Sequence, residues 1–538
     1  LARILYEPSA FMRVIFAEFS LVFWGAVAQT LNKEQQWEIC YWLGKAEMQA
    51  HLSPLLANQN FVFHISEEAI RGLPAPALAD LPLAALDSQE LERYSPHQNH
   101  VLTMMDRMDL GYTFSYSERM QLYYRYLSYW LAVLQHMKPD LVVFPISPHV
   151  AYDYVLYFLA QDLGIPTLLF ERASLPGYVF PVQSFEQGSP ALLSHYRHLL
   201  ASGAKAQLSP TSQAYVDSMR AQNIQAMPDY SNLGPKSPPL PARTWQRFLQ
   251  PRRYWQKLAY TYERIYKKVK PYLEPVPRNY MKQRWIPMSR SRVTARQLRW
   301  YWDVTGPRLR HRWYQYYHQL TQDPQLDKPY IFFPLHYQPE RTTAPGGGSY
   351  VHQDLAVKLL AANLPEGWHM VVKEHPRQIT DKHGRSRGEM SRSMSFYDAL
   401  AETPGVILAP LSFSSQKLID GARAVVTLTG SPGWEAVLRN KPAIVLGYAS
   451  YRGCEGVFYT PDGPSCAAAL GQIAGGYQVN PEKVDLFIQA IETIGQKAWV
   501  DSAWSRAAGI SLEENSQRLV QTWADFPLAP PPYPQEKT

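Results

Sequence analysis

Cysteine is scarce in this chain. Its 538 residues hold three, Cys40, Cys454 and Cys466, which excludes a disulfide-rich scaffold and a four-cysteine zinc site and fits a reducing compartment. Long apolar runs are missing as well. The most apolar early stretch, Val14 to Leu31, contains Glu18 and lies between Arg13 and Asn32. It is too short and too charged to span a membrane, and a buried helix is expected there. No basic segment, apolar core and cleavage site follow one another in signal-peptide order, so the chain reads as cytoplasmic. His352, His369, His375 and His383 do not make a His-Glu-x-x-His pattern, and there is no Walker motif, Gly-x-Gly-x-x-Gly or Gly-x-Ser-x-Gly elbow. No metal centre is expected.

What is present is an ordinary globular composition, 46% hydrophobic and 18% charged, which excludes a disordered chain. The length suits about three domains, or two large ones and an insertion. Charge is unevenly spread. Residues 241–320 hold 19 Lys or Arg against three acids, a balance of +16 that leaves −9 for the rest of a chain whose total is +7. The same window holds 17 aromatics, among them Trp245, Trp255, Trp300, Trp302 and Trp313. Cations and interfacial aromatics suit an anionic membrane surface. A helical insertion with its aromatics packed inward fits equally. No nucleic-acid motif accompanies the window, so nucleic acid is not an expected partner.

The chain on either side reads as α/β. Ile4–Tyr6 is a short apolar strand ending at Glu7. Asp140-Leu-Val-Val-Phe-Pro145 holds a short, wholly apolar run, as expected of a strand buried on both faces of a parallel sheet. A helix from His149 to Gly164 and a strand Thr167–Phe170 complete a β-α-β unit. Residues 201–240, rich in Ser, Pro, Gln and Ala, read as a linker. A second α/β region begins near Pro329, with strands at Tyr330–Pro334, His369–Lys373, Val406–Leu408, Ala424–Leu428 and Ala443–Leu446, and residues 482–525 look helical. The expected division is an α/β domain over 1–200, a linker and basic aromatic insertion over 201–328, a second α/β domain over 329–525, and a Pro-rich tail over 526–538. Two such domains imply a cleft, with ligands beyond the carboxyl ends of the strands.

Four polar clusters fall at strand ends. In Lys373-Glu-His-Pro376, Lys373 and His375 could contact a phosphate oxygen while Pro376 fixes the turn; a turn with incidental charge is the plainer alternative. In Thr427-Leu-Thr-Gly-Ser-Pro-Gly-Trp-Glu435, the turn Thr429, Gly430, Ser431 offers hydroxyls and helix-start N–H groups to an anion, and Glu435 could accept from ribose hydroxyls. A capped helix with no ligand would look the same. The loop Pro334–Thr343 carries His336, Gln338, Glu340 and Arg341, followed by Gly346-Gly-Gly348, a possible mobile connection. Glu171, ending a buried strand, could serve as general base or nucleophile, with Glu7 as competitor. A structural ion pair with Arg172 or Arg13 is the alternative for either.

Lys373-Glu-His-Pro376, Thr429-Gly-Ser-Pro-Gly-Trp-Glu-Ala436 and Lys441-Pro442…Gly447…Tyr451 together resemble the bacterial capsule polysaccharide biosynthesis family, which includes retaining β-Kdo transferases of the two-domain GT-B architecture. The resemblance is best over 329–455, with a weaker echo at 139–178. It implies two Rossmann-like domains facing a cleft, here with a basic aromatic helical insertion. It implies a nucleotide-sugar donor on the C-terminal domain, its phosphate held by His375, Pro376 and the Thr429–Ser431 turn. Glu171 falls where relatives have an acidic residue followed by Asp-Gly; this chain has Arg172-Ala173 instead. Kdo donors are CMP-linked, so CMP-Kdo is the leading donor. The expected acceptor is a surface polysaccharide or its lipid-linked precursor, reached at the inner-membrane surface through 241–320. The alternatives are a UDP- or GDP-sugar transferase or epimerase of the same fold, and a non-catalytic polysaccharide- or membrane-binding assembly protein.

Overall fold

The structure is a computed structural model that describes residues 12–107, 109, 114–221, 305–379, 391–501 and 505–528. Glu7 and the strand expected at Ile4–Tyr6 lie outside these residues. So do most of 201–328 and the tail beyond 528.

Thirteen described strands form two sheets. The first contains β1 (Met12–Phe16), β2 (Trp37–Gly44), β3 (Val62–Ile65), β4 (Leu141–Phe144), β5 (Thr167–Arg172), β6 (Tyr178–Val182) and β13 (Gln496–Lys497). Its order is β13-β6-β5-β4-β1-β2-β3, parallel from β5 to β3 and antiparallel at the β5–β6 and β6–β13 edge. The second contains β7 (Tyr330–Pro334), β8 (His369–Lys373), β9 (Val406–Leu408), β10 (Ala424–Thr427), β11 (Ala443–Val445) and β12 (Val457–Tyr459). It is parallel throughout, in the order β12-β11-β10-β7-β8-β9. Both are doubly wound, Rossmann-like sheets. In each, strand order reverses beside the first strand, at β1/β4 and at β7/β10. Such reversals open a crevice at the carboxyl ends of the strands.

The wholly apolar strands are the central ones. Leu141–Phe144 and Ala424–Thr427 are buried along their full length, because helices cover both faces. Successive side chains of β1 serve different cores. Ile15 joins the cluster with Tyr41 and Trp130, whereas Val14 and Phe16 join the one with Trp24 and Trp523.

Three expectations need correction, and the helical reading of the basic aromatic window agrees with its described part, 306–320. The helix expected from Val14 starts only at Phe23, because Met12–Phe16 pairs with β2 and β4 and Glu18 follows in the left-handed region at φ 67°. The linker expected from 201 contains a helix, Pro210–Arg220. Ser209 caps it, and an Arg220–Asp485 ion pair at 2.7 Å ties it to the C-terminal half. Of the basic aromatic window, the helix Gly306–Leu320 is described. It packs against the second sheet through Tyr317, which is 1% exposed, while Arg308 and Arg312 face solvent. The segment 482–525 is two helices, Pro481–Ile494 and Leu512–Ala524, divided by β13. The last helix returns to the first sheet, where Trp523 stacks on Phe170 (5.1 Å) and Trp24 (5.4 Å).

Candidate active site

Both crevices open toward each other. The loop after β7 crosses to the first domain, where the Arg341 guanidinium Nη1 donates to the Ser147 hydroxyl beyond β4 at 2.6 Å. Further contacts join the halves, among them His100 Nε2 at the Gly348 carbonyl (2.9 Å) and the Ser174 and Ser450 hydroxyls (3.0 Å). Between them lies a cavity of about 120 Å³, lined by Ser147, Glu171, Arg172, Arg341, Thr429 and Tyr448 among others. A larger groove of about 540 Å³, beside Lys358 and Glu402, lies on the outer helices away from the strand ends.

Glu171 reaches the cavity because β5 runs two residues further than expected, held by antiparallel pairing of Glu171 with Phe180 and Arg172 with Val179. Burial pushes its carboxyl up to about 7, against the lowering pull of the Arg341 and Arg452 cations. At neutral pH it is divided between acid and carboxylate. Arg172 pairs with Asp501 and Arg13 with Glu38, so neither expected ion pair engages Glu171. Arg341 has no carboxylate at ion-pair distance among the described residues. Burial, then the neighbouring Arg172, lowers its guanidinium to about 10, still fully charged at neutral pH.

The Lys373-Glu-His-Pro turn follows β8. Lys373 is 5% exposed and its Nζ donates to the Ser415 hydroxyl at 2.9 Å; burial brings the ammonium down to about 8. His375 Nδ1 accepts the Arg377 N–H at 3.2 Å, which assigns the ring proton to Nε2. Burial lowers the imidazole to about 4, so at neutral pH His375 supplies an N–H donor and no charge.

His336 and Gln338 turn inward. His336 Nε2 accepts the Leu428 N–H at 3.0 Å and meets the Thr427 hydroxyl at 2.8 Å, bracing the β7 and β10 loops together. Burial lowers it to about 3 and keeps it neutral. The Gln338 carboxamide donates to the Val351 carbonyl and accepts from Gln353 Nε2 and Arg392 Nη1. Both support the site from beneath through these bonds.

The turn after β10 remains outward. Gly430 precedes the helix Ser431–Leu438, whose start has no side-chain cap. A Cβ on Gly430 would lie 2.8 Å from His336 Cε1, so only glycine fits. The Thr429 hydroxyl donates to the Thr342 carbonyl at 2.8 Å, and Ser431 donates to Glu435 at 3.0 Å. Burial raises the Glu435 carboxyl. Gly346–Gly348 is packed: the Gly346 and Gly347 N–H groups bond to the Arg341 and Thr343 carbonyls.

Sequence reasoning missed three participants. Ser147 sits in a Pro-Ile-Ser-Pro turn after a buried strand, which could have been read as a site loop. Glu374 lay inside a motif already noted but is buried beneath it at 1% exposure. Arg392, its partner at 2.6 Å, carries no local signal. Among the described residues, no group of three or more His, Cys, Asp or Glu could hold a metal, and no helix is long and apolar enough to cross a membrane.

Residues 321–462 match the family described as capsule polysaccharide biosynthesis protein. Among solved structures, the chain is similar to the KpsC β-Kdo 2,7 transferase of Thermosulfurimonas dismutans, at 19% identity over 41% of this chain and 62% of that one, with a TM-score of 0.22. It is similar to the KpsC β-Kdo 2,4 transferase of the same organism, at 13% identity over 65% and 79%, TM-score 0.24. It also resembles the UDP-GlcNAc 2-epimerase of Methanocaldococcus jannaschii, at 12% identity over 90% and 99%, TM-score 0.24. The chain thus spans less than two thirds of the first of these. No curated protein matches it.

Proposed function

We propose, from the match of residues 321–462 to the capsule polysaccharide biosynthesis family, that the whole chain is a glycosyltransferase of surface polysaccharide assembly. It moves a sugar from a nucleotide donor to a glycan or lipid-linked acceptor. The observation that carries this reading is the interdomain cavity. There a charged Arg341, with no carboxylate at ion-pair distance among the described residues, stands opposite a carboxyl, Glu171, that burial raises to about 7.

In this reading the C-terminal domain holds the donor. The Lys373 ammonium, the His375 Nε2–H and the N–H groups opening the helix Ser431–Leu438 receive the phosphate, with Thr429 beside them and Glu435 placed for the ribose. Arg341 stabilises negative charge as the bond from the anomeric carbon to the phosphate oxygen breaks. The ionised Glu171 takes the acceptor hydroxyl's proton as the new C–O bond forms. Contacts across the cleft exclude water and limit donor hydrolysis. The leading donor is CMP-Kdo. The basic segment 241–320 holds the enzyme against anionic lipid, near a lipid-linked acceptor.

The test is a thermal-shift panel of CMP, UDP and GDP with their sugars, since a ligand of the folded state raises its stability. Stabilisation by CMP compounds alone supports the Kdo donor. Stabilisation by UDP or GDP compounds keeps the transferase and replaces the donor. No stabilisation by any of them turns the reading toward a non-catalytic assembly protein. Deleting 241–304 should reduce retention on anionic vesicles; unchanged retention removes the membrane role.

A further inference from the structure

Beneath the Lys373-Glu-His-Pro turn lies an ion pair sealed from water. Arg392 Nε donates to Glu374 Oε2 at 2.6 Å, with side chains 1% and 0% exposed. Sealing two charges in a protein interior costs several kcal/mol per ion, and well-packed apolar replacements are often as stable. Stability alone is therefore a weak reason for the pair.

Its hydrogen bonds reach two helices, the loop after β7 and the turn itself. Glu374 Oε1 accepts the backbone N–H of His375 at 2.6 Å, and Oε2 accepts the Tyr397 hydroxyl at 2.8 Å. The Glu374 N–H is itself received by the Tyr317 hydroxyl at 3.0 Å. Arg392 sends its other N–H groups to Gln338 Oε1 at 2.6 Å and to the His336 carbonyl at 3.1 Å. One buried pair thus joins the loop after β7, which carries Arg341, to the turn after β8, which carries His375.

We infer that Glu374 and Arg392 are positioning residues: the Glu374 carboxylate fixes the His375 backbone, and Arg392 sets the β7 loop in register with it, so that both present their donors to one anion. This rests on the reading of His375 as a phosphate ligand. The anion is the phosphate of a nucleotide.

The test compares the wild type with His375→Ala and two double variants, Glu374→Gln/Arg392→Met and Glu374→Leu/Arg392→Met. CMP, UDP and GDP are titrated separately by calorimetry. The doubles have equal charge and differ in whether side chain 374 can accept the His375 N–H. The Gln/Met chain should bind about tenfold more weakly than wild type for want of Arg392, and the Leu/Met chain about tenfold more weakly again, with melting temperatures of the two doubles a few degrees apart at most. Wild-type affinity in the Gln/Met chain overturns the role of Arg392. Equal affinity in the two doubles overturns the positioning role. Wild-type affinity in His375→Ala, or no binding to the wild type, overturns the site reading and this role with it. If a double does not fold, Glu374→Asp replaces it, keeping the charge with a reach one methylene shorter. Weakened binding supports the role, and wild-type binding overturns it.

Discussion

Arg341 and Ser147 meet across the cleft, guanidinium to hydroxyl at 2.6 Å, and so tie the second domain's first loop to the first domain beyond β4. The same guanidinium is the leading influence opposing the rise of the Glu171 carboxyl. Replacing Arg341 with Met should raise that carboxyl further. The rising limb of transfer rate against pH, set near 7 in the wild type, should move to higher pH, and the rate at pH 7 should fall about a hundredfold. Ser147→Ala should leave the limb in place. A pH–rate profile of both variants checks this.

Glu171 also makes stability depend on pH. Its folded value, about 7, lies above the ordinary 4.5. Between these values the folded state holds the proton more tightly than the unfolded state, so stability falls as pH rises from about 4.5 to 7 and then levels. Glu171→Gln removes this loss. It should raise the melting temperature at pH 8, change it little at pH 4.5, and abolish transfer. At most about 3 kcal/mol is at stake. Melting curves across that range give the answer, and equal melting at pH 8 would place the carboxyl in water.

If Lys373 holds the nucleotide phosphate as proposed, it should set the alkaline limit of binding. With the ammonium near 8, affinity should be flat below pH 7 and weaken above 8, approaching tenfold per unit. Lys373→Met should bind more weakly and without that slope. His375, near 4, adds no step between pH 5 and 8. Calorimetric titration over pH 5–9.5 measures this, and a plateau to pH 9.5 would remove Lys373 from the anion.

Gly430→Ala would press its new Cβ into the His336 ring that braces the β7 and β10 loops. The expected cost is about 1–3 kcal/mol, with weaker nucleotide binding, read from denaturant unfolding and titration of one preparation.

Trp523→Ala should destabilise the first domain although it lies near the chain's far end. Its indole stacks on Phe170 and Trp24 and lies 5.9 Å from Trp37. Emptying that space costs about 3–5 kcal/mol. Urea unfolding followed by tryptophan fluorescence tests it.

The strands of the second domain were legible because each is a short apolar run closed by a turn, and all five expected there lie within one residue of those observed at both ends. Tyr330–Pro334, His369–Lys373 and Val406–Leu408 coincide entirely. The apolar run from Val14 misled because strand and helix share it, with the change of direction at Glu18, whose left-handed backbone leaves no mark in composition. At the site, periodicity and turn chemistry located the loops but not the direction of each side chain. His336 and Arg341 stand five residues apart on one loop, and only tertiary packing decides that the first braces and the second faces the cavity. Arg392 was invisible because its partner lies 18 residues away across an unpatterned polar stretch.

The chain passes between its domains twice, and the two passages lie side by side. It leaves β6 into the helix Pro190–Ala201 and returns through the helix Pro481–Ile494 into β13. Those helices are joined by the Tyr196 hydroxyl on the Lys483 carbonyl at 3.1 Å, and β13 pairs with β6. Among the described residues, that side of the molecule is thus stitched twice, by paired helices and by paired strands, whereas the cleft is bridged by single hydrogen bonds such as Arg341–Ser147, His100–Gly348 and Ser174–Ser450. If the domains part, they should do so like a door, with the double stitch as the hinge side and these bridges giving way together.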